Sequence, residues 1–150
     1  MSFIEADLAV YVQLLQKLSP ETPALWGNMS AQRMVEHLTD SINMARGAVE
    51  YQLAVPEEMA AKLKTFVHTD KPMAHNIQVN FATAEMNLRN ADLDDAIDEF
   101  TLTWVDFMEE AEANPTLETL HPYYGMLNRE DWLKLHAKHF THHIQQFGLA

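Results

Sequence analysis

The sequence predicts an all-α protein, a four-helix bundle of the up-down-down-up type with a long central crossover connection. Four segments space their apolar residues three and four apart, as a helix with one buried face requires. Glycine is scarce, with 4 residues in 150, and Ile77, Val79 and Phe81 form the one stretch that alternates as a strand would. A chain of this length, 47% hydrophobic and 21% charged, reads as a soluble globular protein, with residues 1–150 as a single bundle domain.

The first helix covers about residues 5–18, where Leu8, Tyr11, Val12, Leu15 and Leu18 keep helical spacing. Ser19-Pro20 ends it, because a residue before proline avoids the α region. Thr22-Pro23 opens a short turn or helix that carries Leu25 and Trp26. The second helix starts at the N-cap Ser30 and stops at Gly47, with Met34, His37, Leu38, Ser41, Met44 and Ala45 on one side. A shorter helix spans about residues 56–66, with Pro56 at its start. Residues 67–90 are the least regular part, an extended segment or packed loop that holds His68 and His75. The third main helix runs from the cap Asp92 to about residue 113, with the stripe Leu93, Ala96, Ile97, Phe100, Trp104, Phe107, Met108 and Ala111. His121-Pro122-Tyr123-Tyr124-Gly125 is a turn, and Asn128 caps a last helix that reaches Phe147 and stops at Gly148.

Composition excludes several classes of function. The chain has no Cys, which removes disulfides, thiolate ligands and a cysteine nucleophile together. Its formal charge of −12 leaves no basic footprint for nucleic acid and disfavours anionic membrane surfaces. The start, Met-Ser-Phe-Ile-Glu-Ala-Asp, has neither a basic nor an apolar signal region, and no run is long enough to span a bilayer, so a cytoplasmic location is expected. No glycine-rich phosphate loop and no Ser-His-Asp pattern is present.

The chemistry concentrates near the end, in His136-Ala137-Lys138-His139-Phe140-Thr141-His142-His143, which holds four of the eight histidines. A helix turns roughly 100° per residue. With His139 at zero, His143 falls at about +40°, Trp132 at about +20°, Gln146 at about −20°, His136 near about +60° and His142 near about −60°. His139 and His143 thus share the inward face, and two imidazoles at i and i+4 can grip one metal ion. His-x-x-x-His alone is common by chance, and a lone core histidine is more often a hydrogen-bonded packing residue than a ligand. His37, in the apolar stripe of another helix, and the density of the C-terminal cluster strengthen the metal reading.

Two distant segments carry a resemblance to a known family. They are Met34-Val35-Glu36-His37-Leu38 and the run from His121-Pro122-Tyr123-Tyr124-Gly125-Met126-Leu127 through Trp132 to His139-Phe140-Thr141-His142-His143-Ile144-Gln145-Gln146-Phe147-Gly148. The chain resembles the DinB/YfiT-like superfamily of metalloenzymes over most of its length. It is most similar to an uncharacterised branch with a His-Pro-aromatic-aromatic-Gly turn and a His-x-x-His-His-x-x-Gln-Phe-Gly ending. The resemblance implies a four-helix bundle with one crossover, a metal triad at His37, His139 and His143, zinc or nickel as the ion, and a homodimer. It also implies a small-molecule substrate, and relatives include transferases and isomerases that use low-molecular-weight thiols.

Three neutral histidines leave a position open for water or substrate, the mark of a catalytic rather than a structural site. Such a site serves hydrolysis, thiol transfer or isomerisation alike. His142, His136 and His121 flank it as candidate donors, proton shuttles or surface residues, and no catalytic residue beyond the metal is identified. Glu36 points about 100° away from His37 and is a poor general base there. Proton competition at ordinary histidines predicts metal release below about pH 6. The leading expectation is a metal-dependent hydrolase or low-molecular-weight-thiol transferase. The alternative is a non-catalytic helical bundle that acts as a binding or stress-response module.

Overall fold

The computed structural model describes residues 3–75 and 86–150. The elements in order are α1 (Leu8–Leu15), α2 (Ala31–Arg46), α3 (Glu57–Val67), α4 (Leu93–Ala113), β1 (Thr119–His121), β2 (Gly125–Leu127) and α5 (Arg129–Gln146). The expected alternation at Ile77, Val79 and Phe81 lies outside the described residues.

Local chemistry sets the helix ends. Asp7 accepts from the Ala9 and Val10 amides and starts α1, Ser30 accepts from Arg33, and Asp92 accepts from Asp95. Asn128 and Asp131 form a reciprocal capping box on α5. Gly47 closes α2 at φ +71°, where an added Cβ would also stand 3.1 Å from Thr119 Cγ2.

The all-α four-helix bundle of up-down-down-up type is not what forms. The described residues form five helices and a two-stranded antiparallel sheet, joined by loops. The histidine-aromatic turn folds as a β-hairpin in which Thr119 faces Leu127, Leu120 faces Met126 and His121 faces Gly125. Gly125, at φ +77°, follows the three-residue loop 122–124 and opens β2 in the left-handed conformation that suits glycine. Strands of three residues are too short to show a period of two, so the sequence reads as a plain turn. The helices also depart from the bundle. α1 has 8 residues and stops before Leu18, while α3 has 11 and packs on α5 and β2.

Helices α2 and α4 form the main packed pair, with α1 against α4 and α5 against α2. Tyr11, Phe100, Trp104 and Phe140 meet edge-on or tilted at the centre, with ring centroids 5.0–6.5 Å apart. The hairpin is seated by one hydroxyl. Thr119 Oγ1 donates to the Ala45 carbonyl at 2.8 Å and accepts from Trp132 Nε1 at 2.8 Å, so it joins the end of α2 to the start of α5.

Helix α5 buries residues around nearly its whole circumference, including Asp131, Trp132, His136, Lys138, Phe140, Thr141, His143 and Gln146. A helix enclosed in this way must find a partner for each buried polar group. Lys138 Nζ donates to the Thr69 carbonyl at 3.0 Å and also to the Lys71 carbonyl, beneath the Phe66 ring. Asp131 pairs with His68 at 2.7 Å and with Lys64 at 3.5 Å.

Candidate metal centre

His37 comes from the middle of α2, one turn after Arg33, and His139 and His143 come from consecutive turns of α5. The packing of α2 on α5 brings their rings into a triangle. His139 Nε2 lies 2.9 Å from His37 Nε2 and 3.1 Å from His143 Nε2. The rings stand nearly perpendicular, at 78–85°, with centroids 4.7–4.9 Å apart. One ligand atom from each lies within 4.8 Å of the others, and no carboxylate joins the group among the described residues. His37 and His143 are buried and His139 is partly exposed.

The donor set fits a divalent ion. A metal takes histidine as neutral imidazole. Burial holds His37 and His139 well below the usual histidine range, and neighbouring histidines and, at His37, the Arg33 guanidinium add to it. Burial also pushes His143 down to about 3, against an opposing hydrogen bond to Gln146. The chain thus delivers three uncharged nitrogens to one point near neutral pH. His37 Nδ1 is buried with no hydrogen-bond partner among the described residues.

The flanking histidines lie elsewhere. His136 is 1% exposed and both of its nitrogens lack partners among the described residues. It is enclosed by Trp104, Phe107, Trp132 and Phe140, with centroids 5.1–5.7 Å away, and burial pushes it down to about 3. His121 sits in the hairpin, where its Nδ1 accepts from the Tyr123 amide at 3.0 Å, and its ring packs against Tyr124 and Trp132. Trp132 therefore lies with His121 and His136 rather than with His139. His142 turns to the side of the triangle and meets the edges of Trp26 and His75 at 5.5 and 5.8 Å.

Three neighbours of the cluster are not among the site residues that the sequence singles out, although Gln146 and Glu36 lie inside the segments that carry the resemblance. Gln146, one turn after His143, places Oε1 at 2.7 Å from His143 Nδ1. Arg33 is 2% exposed and lies 3.6 Å from Asp40, close enough to act electrostatically on both His37 and His143. Glu36 is 1% exposed and faces away from the triangle. Its carboxylate accepts from Gln32 Nε2 at 3.1 Å, from the Arg89 and Asn90 amides at 2.9 and 3.2 Å, and from Asn90 Nδ2 at 3.3 Å. These bonds hold it below the usual carboxylate range despite burial. Spacing one turn from a ligand, at i+3 or i−4, is the signal that singles out Gln146 and Arg33. Asp40 also pairs with Arg89 at 2.8 Å.

Fold and site together define a mainly helical protein with a buried three-histidine cluster able to hold a metal ion. The chain belongs to the family described as a protein of unknown function (DUF1569), whose family model matches residues 2–149. No curated protein and no solved structure matches the chain. Among the described residues, no helix is long and apolar enough to cross a membrane.

Proposed function

We propose that this chain is a metal-dependent enzyme that holds zinc or nickel at His37, His139 and His143. The observation that carries the reading is the meeting of three neutral Nε2 atoms, 2.9 and 3.1 Å about His139, without a carboxylate. A divalent ion held there supplies Lewis acidity toward a thiol, a carbonyl or a water. His37 and His143 fix the ligand positions from inside the core, while partly exposed His139 marks the side from which a small substrate enters. With no Cys in the chain and no serine in a nucleophile motif, hydrolysis or transfer to a low-molecular-weight thiol is the reaction class that suits this donor set.

The resemblance to DinB/YfiT-like metalloenzymes points the same way, as do the expectations of a homodimer, one domain over residues 1–150, and a cytoplasmic protein without nucleic-acid or membrane partners. Elemental analysis of untagged protein followed by a screen of small thiols and hydrolysable esters tests the reading. Chelation should remove any activity found, and zinc or nickel should restore it. His37→Ala should behave like the chelated protein, while Ser19→Ala and Ser41→Ala should stay active. Activity that survives complete metal removal would refute the proposal. Stoichiometric metal without turnover of any substrate would favour a binding module instead.

A further inference from the structure

Gln146 is 5% exposed and sits between two acceptor-capable partners. Its Nε2 lies 2.9 Å from the Trp26 carbonyl oxygen and its Oε1 lies 2.7 Å from His143 Nδ1. A carbonyl oxygen only accepts, so the amide NH₂ must be the group that faces Trp26. The carboxamide is thereby oriented, and its oxygen must face His143. An oxygen at 2.7 Å needs a donor, so His143 Nδ1 must carry the proton. A neutral imidazole has one N–H, and Nε2 is then left with a bare lone pair.

We propose that Gln146 is a positioning residue for the metal centre, which fixes His143 as the Nδ1–H tautomer and leaves its Nε2 lone pair at the point where His37 and His139 converge. The arrangement rests on more than one bond. The Leu25 amide donates to the Gln146 carbonyl at 2.7 Å, so the segment that carries Trp26 is tied to the last turn of α5 by both main chain and side chain. Trp26 in turn stacks on His75, with centroids 3.6 Å apart and planes 7° from parallel. Partners of this kind fix the tautomer and ring orientation of a ligating histidine and raise its basicity, and removing one costs about tenfold to a hundredfold in metal affinity.

The effect on affinity rests on the metal reading above, whereas the tautomer can be read without any metal. In the full-length, chelator-stripped protein with ¹⁵N-histidine, the long-range ¹⁵N–¹H spectrum should show His143 protonated at Nδ1 and bare at Nε2. Gln146→Met keeps the length of the side chain but removes the acceptor. It should release His143 toward the Nε2–H form that free imidazole favours and weaken zinc binding by about tenfold or more. Gln146→Glu keeps an oxygen opposite Nδ1 and should retain the wild-type tautomer and most of the zinc affinity. Nε2–H in the wild type would overturn the inference, as would Gln146→Met with unchanged tautomer and unchanged zinc affinity. If Gln146→Met does not fold, the spectra of the wild type and Gln146→Glu decide, and Nε2–H in either is contrary. A wild type that shows Nδ1–H yet takes up no zinc overturns the metal reading and leaves the tautomer assignment standing.

Discussion

His37 and His139 are 102 residues apart in sequence, yet their Nε2 atoms lie 2.9 Å apart. Two like lone-pair nitrogens so close need a shared proton or a shared cation between them. With His143 Nε2 at 3.1 Å from the same atom, one cation bound between them would satisfy all three at once.

Acid should unfold this protein early. Burial pushes His121, His136 and His143 down to about 3 in the folded state. In the unfolded chain each titrates near about 6.5. Between those values the unfolded chain binds more protons, so stability is intact above about pH 6.5 and falls as pH drops toward about 3. One such histidine costs about 2 kcal/mol at about pH 5. Denaturant midpoints measured for metal-free protein at about pH 7.5 and 5 should differ accordingly, and equal midpoints would contradict the neutral, buried assignment.

The same lowering alters the expected pH dependence of metal binding. Three ordinary histidines would lose about a thousandfold in affinity one unit below their usual pKa. Here burial keeps the ligands neutral further into acid, so release is expected below the value of about pH 6 that the sequence alone suggests. Calorimetric zinc titrations should change less than about tenfold in affinity between about pH 7 and 5.5. A loss of a hundredfold or more over that range would show that the ligands titrate as exposed imidazoles do.

Glu36 should be a clamp for the chain rather than a catalytic acid. Its buried carboxylate collects four hydrogen bonds, three of them from Arg89 and Asn90. Glu36→Ala should destabilise by about 2–4 kcal/mol, since a buried charge partner is removed and the donors are left unpaired. Hydrogen exchange at the Arg89 and Asn90 amides should speed up along with it. Unchanged exchange at both amides would remove the clamp.

His136 gives the opposite expectation. Both of its nitrogens are buried without partners among the described residues, so the imidazole pays desolvation and recovers no hydrogen bond. His136→Leu, similar in volume, should leave stability unchanged or raise it by about 1 kcal/mol. A loss beyond about 2 kcal/mol in thermal or denaturant unfolding would show that the ring holds a polar role.

Much of the helical framework is legible in the sequence because its ends are written locally. Ser30, Gly47, Asp92 and Asn128 each act on residues within one turn, and each caps or stops a helix in the structure. The spacing of His139 and His143 likewise places them together, since i and i+4 share a face. What is not legible depends on distant chain. The hairpin of Thr119–His121 with Gly125–Leu127 forms because Thr119 finds Ala45 and Trp132, and its strands are too short to leave a pattern. Glu36 meets Arg89 across 53 residues, and Lys138 meets the Thr69 carbonyl across 69. A helical wheel turns Glu36 away from the face of His37, but it cannot say that the side chain is buried or what it holds.

The central claim is that His37, His139 and His143 bind one divalent ion, and stoichiometry measures it most directly. Chelator-stripped protein titrated with zinc, and separately with nickel, should take up one ion per chain by calorimetry and elemental analysis. His139→Ala, which removes the nitrogen shared by both short contacts, should take up none while keeping its helical circular dichroism. Equal metal content in the wild type and in a folded His139→Ala protein, or no uptake by the wild type, would contradict the account.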